Sequence, residues 1–149
     1  MAQTLGLTWQ QLRDAFASRL SGNTPAGTRI DQERHVKLDE NETFPRILIY
    51  VIDTQLQNDM TYGAEFCGLR RTTVKLEYHI DANDDAAAKA NIDVAQTILS
   101  LLLSDQTFLN LFQKVQQVTT RIGADDTSAR FRAAAQLNFT VIEEIGYGP

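Results

Sequence analysis

The chain contains two histidines, His35 and His79, and imidazole is a common metal ligand and proton carrier near neutral pH. A metal site needs several donors that converge at short range. Neither histidine has a partner at the His-x-x-x-His or Glu-x-x-His spacing, and no Cys-x-x-Cys pair exists. We therefore expect both to be surface residues, with His79 on the polar face of a strand, and we expect no metal or other cofactor.

Two groups of acidic residues suggest another chemistry, because clustered carboxylates hold divalent ions in two-metal nucleases. The groups are Asp39, Glu40 and Glu42, and Asp81, Asp84 and Asp85. A simpler interpretation is that the first group forms a polar turn and the second caps a helix, where carboxylates stabilise the positive end of the dipole. No motif fixes a lysine or histidine beside them, so a small metal-dependent hydrolase or nuclease is kept only as an alternative.

The motifs of nucleotide binding and nucleophilic catalysis are missing from the sequence. It has no Gly-x-x-x-x-Gly-Lys-Ser/Thr loop, no Gly-x-Gly-x-x-Gly run and no Gly-x-Ser-x-Gly elbow. The single cysteine, Cys67, lies between Phe66 and Gly68, and the sequence specifies neither a basic partner nor a helix N-terminus that would activate it. Its simplest role is that of a small packing residue. We expect the protein not to be an enzyme.

A pair of arginines, Arg70 and Arg71, stands at the end of an irregular polar stretch that begins at Thr54. This stretch is long for a connection in a compact domain, and long loops of this kind usually have a function. Paired surface arginines are more often simply solvated, yet arginine is enriched at protein interfaces. Binding or assembly is therefore a better expectation than catalysis.

Length and composition bound the class of protein. The 149 residues suit one domain, and 43% hydrophobic with 22% charged residues exclude a disordered or collagen-like chain. The 14 basic and 19 acidic residues give a net charge of −5, which opposes broad nucleic-acid binding. One cysteine cannot form a disulfide framework, so synthesis in a reducing cytoplasm is expected. The first residues lack a signal-peptide pattern, and no apolar run reaches the length of a membrane span.

The first element that must position these residues is a helix. Thr8 and Gln11 match a capping box, and Ser21-Gly22 supplies a stop, so a helix of about 13 residues is predicted between them. Its spacing predicts one buried stripe. The stripe consists of Trp9, Leu12, Phe16 and Leu20.

Strands are predicted next. The turn-rich segment from Asn23 to Asp31 indicates an exposed connection, and the weak alternation from Glu33 to Leu38 suits a short strand. Pro45 to Asp53 is β-branched and apolar on both faces, which predicts a central strand covered on both sides. A long loop or hairpin excursion follows at about residues 54–71. The strict alternation from Thr73 to Ile80 then predicts a strand with one buried face.

The second half of the chain predicts a long helix and two more strands. The helix begins at a cap formed by Asn83-Asp84-Asp85 and runs to Ser104, and a short helical piece follows Asp105. Val118, Thr120 and Ile122 then indicate a strand that ends at the turn cluster of residues 123–126.

The last segment is rich in alanine, which favours a helix by propensity alone. From Phe131 to Val141, however, apolar residues alternate with polar ones, and a helical stripe would bring Asn138 inward. A strand is therefore predicted, followed by an irregular tail over residues 146–149. The order of elements predicts an α+β fold in one domain over residues 1–149, with a mixed, mostly antiparallel sheet packed against one long helix and an N-terminal helix.

Several of these segments, taken in order, carry a resemblance to a known family. They are the capped helix ending in Arg-Leu-Ser-Gly (19–22), a charged strand ending in Leu38-Asp39, the Phe-Pro-Arg-Ile-Leu-Ile-Tyr strand (44–50), the long excursion, the Arg-Thr-Thr-Val-Lys-Leu-Glu-Tyr strand (71–78), the Ala-rich helix and the closing amphipathic strand. Over nearly the whole chain, this order resembles the tail terminator, or tail completion, proteins of tailed bacteriophages.

The resemblance implies a structural virion protein that forms a hexameric ring at the head-proximal end of the tail. Such a ring ends polymerisation of the tail tube and docks the tail to neck or head-completion proteins. The implied partners are further copies of the chain, the tail tube protein, a neck or head-completion protein and, in a contractile tail, a sheath protein. DNA would pass through the ring without specific binding, and no membrane would be involved. Synthesis would take place in the host cytoplasm.

The family has no catalytic residues to carry over, so only interface residues are expected. We place them in the excursion, at Arg70, Arg71, Gln57, Asp59 and Tyr62. Two further alternatives stay open beside the hydrolase or nuclease. One is a neck or head-to-tail connector subunit, which is also ring-forming. The other is a monomeric adaptor that binds a peptide at an exposed sheet edge.

Overall fold

Helices and strands follow one another in the order that the hydrophobic pattern predicts, with a helix first and strands on either side of a long helix. The computed structural model describes residues 7–35, 42–62, 65–81, 85–112, 114–125 and 132–147. The elements are α1 (Trp9–Leu20), β1 (Ile30–Gln32), β2 (Arg46–Tyr62), β3 (Glu65–Asp81), α2 (Asp85–Leu103), α3 (Gln106–Leu109), β4 (Lys114–Asp125) and β5 (Arg132–Tyr147).

The five strands form one sheet in the order β1-β2-β3-β5-β4. β1 is parallel to β2, and all other neighbours are antiparallel. Helix α1 packs against β2 and α2, while α2 packs against β3 and β5. The sheet is therefore mixed and mostly antiparallel with helices against it, which confirms the predicted α+β fold.

The capping box of α1 forms as predicted. The Thr8 hydroxyl accepts a hydrogen bond from the Gln11 amide at 3.1 Å, and the Gln11 side chain accepts one from the Thr8 amide at 2.8 Å. The helix ends at Leu20, and Gly22 beyond it has φ +76°, a conformation that glycine adopts without strain. Both helix boundaries are thus confirmed.

The core lies between one face of the sheet and the helices, and Phe16 of α1 is at its centre. The Phe16 ring centroid lies 5.0 Å from that of Phe108, 5.4 Å from that of Phe139 and 6.3 Å from that of Phe112. Phe16 therefore joins α1 to β5 and to the chain around α3. Leu12 and Leu20, one turn to either side, are also fully buried.

The alternation of the two central strands is confirmed. The buried side chains are Val74, Leu76 and Tyr78 in β3 and Ala135, Leu137, Phe139 and Val141 in β5. The alanine-rich segment is a strand because β5 pairs with β3 on one side and β4 on the other. Ladder hydrogen bonds on both sides outweigh the helix propensity of alanine.

The sequence predicts either a long loop or a hairpin at about residues 54–71, and the structure has the hairpin. β2 and β3 pair along almost their whole lengths, out to Tyr62 opposite Glu65. Register shifts at residues 51–53 and 58–60 interrupt this ladder. Shifts of this kind bend and twist a strand. The polar composition of the stretch does not prevent pairing, because the backbone supplies the ladder.

The short first strand lies earlier than predicted. β1 falls within and just after the expected connection, while residues 33–35 of the expected strand lie outside it. Backbone hydrogen bonds to β2 set the position of β1. The Ile47 amide donates to the Arg29 carbonyl at 3.0 Å, and the Glu33 amide donates to the Ile49 carbonyl at 2.8 Å. Three residues are too few to show a periodic pattern. Residues 36–41, with Leu38, Asp39 and Glu40, lie outside the described residues.

Three further expectations are wrong in detail. Trp9, placed in the buried stripe, is 43% exposed because it lies at the start of α1, where its indole reaches Thr54 of β2. Ile52 is 50% exposed at the first register shift, so β2 is not covered on both faces throughout. Gly146 and Tyr147 belong to β5, since they pair with β3.

The helices of the second half of the chain agree with the sequence. α2 ends at Leu103, one residue before the predicted end, and Asp105 caps α3 by accepting from the Thr107 amide at 3.0 Å. The predicted cap residues Asn83 and Asp84 lie outside the described residues. β4 begins at Lys114, four residues before the predicted strand. Among the described residues, no helix is both long and apolar enough to cross a membrane.

Substituting Phe16→Ala should reduce the free energy of unfolding by about 3–5 kcal/mol, because a fully buried ring with three aromatic neighbours leaves a cavity. Urea denaturation followed by circular dichroism measures this change. Leu111→Ala is the control: Leu111 is 45% exposed, and its truncation should cost less than about 1 kcal/mol. Equal losses in the two variants would contradict the assigned core.

Candidate interaction site

The three longest strands continue past the end of β4. β4 reaches only to Lys114 opposite Ile142, whereas β3 and β5 stay paired out to Phe66 opposite Tyr147. We call residues 54–62, 65–72 and 141–147 the distal extension. Of the predicted interface residues, Gln57, Asp59 and Tyr62 lie on its β2 strand and Arg70 and Arg71 on its β3 strand. The sheet therefore brings all five predicted positions into one region.

A buried ion pair lies at the base of the distal extension. Arg70 and Glu143 are direct neighbours on β3 and β5, and their side chains, 12% and 7% exposed, form a salt bridge. The backbone of Leu7 completes the arrangement. Its amide donates to Oε2 of Glu143 at 2.7 Å, and its carbonyl accepts from the Arg70 guanidinium. The pair thus joins the segment before α1 to two strands of the sheet.

The structure gives Arg70 a partner that the sequence reasoning missed. The sequence does contain a signal for this pair. By strand alternation, Arg70 lies on the same buried face of β3 as Thr72 and Val74, and Glu143 lies on the same buried face of β5 as Val141. A charged residue at a buried position on each of two strands indicates a pair, since an isolated buried charge is strongly unfavourable. Arg71, by strand alternation, lies on the opposite face of the sheet.

A half-exposed apolar spot lies beside this ion pair, on the same side of the sheet. The Trp9 indole Nε1 donates to Oγ1 of Thr54 at 2.9 Å, and the Thr54 and Thr72 hydroxyls lie 3.3 Å apart. Leu56, two residues further along β2 and opposite Arg70, is 57% exposed. Trp9 and Leu56 therefore offer exposed apolar surface at the base of the extension.

A second charged network lies where β1 meets β2. Arg34 pairs with Asp31 at 3.0 Å and with Glu42, and Arg46 pairs with Asp31 at 2.9 Å and with Glu42 at 3.3 Å. The hydrogen bonds that the Arg34 guanidinium donates to Glu42 and, with a smaller effect, to Asp31 raise the pKa of Arg34. Glu42, which belonged to the acidic group considered for metal binding, is thus engaged by two arginines of its own chain.

The face of the sheet opposite α1 and α2 carries a group of polar side chains on β2 and β3. The Tyr50 hydroxyl donates to the Arg34 carbonyl at 3.0 Å, and Lys75 Nζ lies 4.8 Å from the Tyr50 ring centroid. Nε2 of His79 lies 3.8 Å from Oε1 of Glu77. The His79 side chain, and more weakly Lys75, lower the pKa of Glu77 against the opposing effect of burial. His79 therefore lies on the polar strand face, as predicted.

A groove of about 560 Å³ runs between α1 and the chain around α3. Its floor includes Ala15, Phe108 and Leu111. At its rim Arg19 pairs with Asp105 at 3.0 Å and donates from Nε to the Leu101 carbonyl at 2.8 Å. Within the part of the chain that the structure describes, no group of three or more His, Cys, Asp or Glu side chains could hold a metal ion.

Comparison with known proteins gives no family. No family model matches the chain, and no curated protein matches it. A solved structure superposes on it with a TM-score of 0.44 and 14% sequence identity, over 91% of this chain and 96% of its own. A likeness at this level carries no argument about function.

Glu143→Gln should lower the free energy of unfolding by about 3 kcal/mol or more, because Arg70 would keep a buried charge without its counter-charge. Glu144→Gln, at the exposed next position of the same strand, is the matched control and should change stability by less than about 0.5 kcal/mol. Chemical denaturation of both variants measures the difference. A loss at Glu144 equal to that at Glu143 would contradict the proposed importance of the pair.

Glu77 should make stability depend on pH. Because its pKa is lowered in the folded protein, its contribution is complete above the unfolded value, near 4.3, and is lost as the pH falls through the folded pKa. The wild type should therefore be more stable than Glu77→Gln near pH 6, and the difference should shrink on acidification. Thermal unfolding from pH 6 to pH 3 tests this, and a difference that stays constant over that range would contradict it.

Proposed function

We propose that the protein is a tail terminator subunit of a tailed bacteriophage, which assembles as a six-fold ring, caps the tail tube and docks it to the neck. The observation that carries the proposal is the distal extension, on which all five predicted interface residues lie. A three-stranded extension with exposed positions such as Gln55, Leu56 and Glu144 suits contact with other subunits. The choice of this particular family rests on the resemblance in the order of helices and strands.

The proposed partners follow from the same role. They are other copies of this chain, the tail tube protein, a neck or head-completion protein and, in a contractile tail, a sheath protein. The net charge of −5 is compatible with a ring through which DNA passes without adhering. The protein would be located at the head-proximal end of the virion tail.

The structure changes how the arginine pair should be used in a test. Reversing Arg70 would break an ion pair inside one chain and so report on folding. The distal positions of β2 are better probes of partner contact. A neck or connector subunit would share ring formation but would not stop tube growth, whereas an enzyme built on the acidic groups would bind magnesium or manganese.

The direct test adds the purified protein to polymerising tail tube protein and measures tube length by negative-stain electron microscopy. We expect shorter tubes with a six-fold ring at one end, and a ring mass of about 100 kDa by light scattering, six times that of the 16.7 kDa chain. Calorimetry with magnesium and manganese accompanies it. Tubes of unchanged length without terminal rings would contradict the proposal, and tight metal binding would favour the hydrolase alternative.

Replacing Gln57, Asp59 and Tyr62 together by alanine should reduce tube capping about tenfold or more while leaving secondary structure unchanged, because interface energy is concentrated in a few residues. Asp93→Ala with Gln96→Ala, on the exposed face of α2, is the control and should cap like the wild type. Circular dichroism confirms folding. Normal capping by the triple variant would show that these positions do not contact the tube or a neighbouring subunit.

A further inference from the structure

The two edges of the sheet are only partly occupied. On the β2 side, β1 pairs with Ile47–Ile49 alone, and beyond it the Val51 amide donates to Oε1 of Glu33 at 2.7 Å. In the described ranges, no strand pairs with β2 beyond this point on that side, and none pairs with the outer side of β4. Open edges present unpaired amides and carbonyls that can bind another strand.

The register shows which groups of β2 face the open edge. Since the Val51 amide points to Glu33, the backbone groups of the preceding residue, Tyr50, point to β3. Those of its partner Lys75 point back to β2. Thr73 then also faces β2, and after the register shift it lies opposite Asp53. The backbone groups of Thr54 and Leu56 therefore point outward, beside the exposed Leu56 side chain.

The charges at the two edges are complementary. From Ile47 to Tyr62, β2 contains two carboxylates, Asp53 and Asp59, and no cation, whereas β4 contains Lys114 and Arg121 with one carboxylate at its end. Asp53 and Arg121 are both exposed. They lie opposite Thr73 and Gln136, which share the helix-free face of the sheet. Charged edge residues normally discourage pairing, but opposite charges on the two edges favour pairing between unlike edges.

We propose that the open edge of β2 from Asp53 outward binds the outer edge of β4 of a second copy of this chain, with Asp53 beside Arg121 of that copy. β2 and β4 run in opposite directions within the sheet, so copies in the same orientation pair antiparallel and keep their helices on one side. Pairing two β2 edges would instead bring carboxylates together. β1 blocks the inner part of β2, so the second copy is displaced outward along the strand.

The contact is head-to-tail, and repeated contacts of this kind close into a ring or continue as a filament. The closure at six copies rests on the proposed function. The pairing itself does not, because it follows from the open edges, the exposed Leu56 and the edge charges. A sheet continuous from one copy to the next would place the distal extension of each subunit against its neighbour.

Charge reversal tests the pairing. Light scattering over a concentration series, with and without tail tube protein, gives the concentration at which copies associate. Asp53→Arg and Arg121→Asp should each raise it about tenfold, because like charges then face each other across the contact. The double variant should return to within about threefold of the wild type, since it restores opposite charges. Both residues are exposed, so circular dichroism should remain unchanged in all variants.

The outcomes separate this inference from the proposed function. If the protein forms rings and neither charge reversal changes the concentration at which copies associate, the ring uses other surfaces and the proposed pairing is wrong. The tube-capping function would not be contradicted by that result. If the reversals and their rescue behave as expected but tubes are not capped, the pairing stands and the terminator function fails. A monomer under all conditions, or a double variant weaker than either single variant, would overturn the pairing.

Discussion

The ion pair between Arg70 and Glu143 is the constraint on which the extended part of the molecule depends. Charges buried to this degree are tolerated only when each meets its counter-charge and further hydrogen bonds. Leu7 supplies those bonds and is held in return. The adjacent residue, Thr8, caps α1, and α1 carries Phe16 into the core. One desolvated pair therefore links the distal strands, the start of the first helix and the centre of the core.

The two faces of the sheet carry different kinds of side chain. α1 and α2 cover the face formed by the alternating apolar residues of β3 and β5, while the other face contains Tyr50, Lys75, Glu77 and His79. Among the described residues, the exposed large apolar side chains Trp9, Ile52 and Leu56 lie near the base of the extension, whereas Leu103 and Leu111 lie around α3. Ile52 and Leu56 both lie on β2, so the proposed contact between subunits is best sought first at the open edge of that strand.

The sequence predicts the fold well where the pattern is local. The capping box at Thr8 and the alternation through Phe139 are properties of a few neighbouring residues, so helix α1 and strand β5 could be identified. β1 could not be placed, because a three-residue strand exists only through its pairing with β2. The Arg70–Glu143 pair was missed because its members are 73 residues apart, and only the strand register brings them together.

Amide hydrogen exchange in the dissociated and assembled protein tests most directly whether subunits associate through their sheet edges. Outward amides at Thr54 and Leu56 should exchange quickly in the monomer, where no strand of the described chain covers them, and become protected on assembly together with outer amides of β4. The buried amides of β3 should be protected in both states. Protection that appears only around α1 and α3, with Thr54 and Leu56 still exchanging quickly in the assembly, would contradict the account.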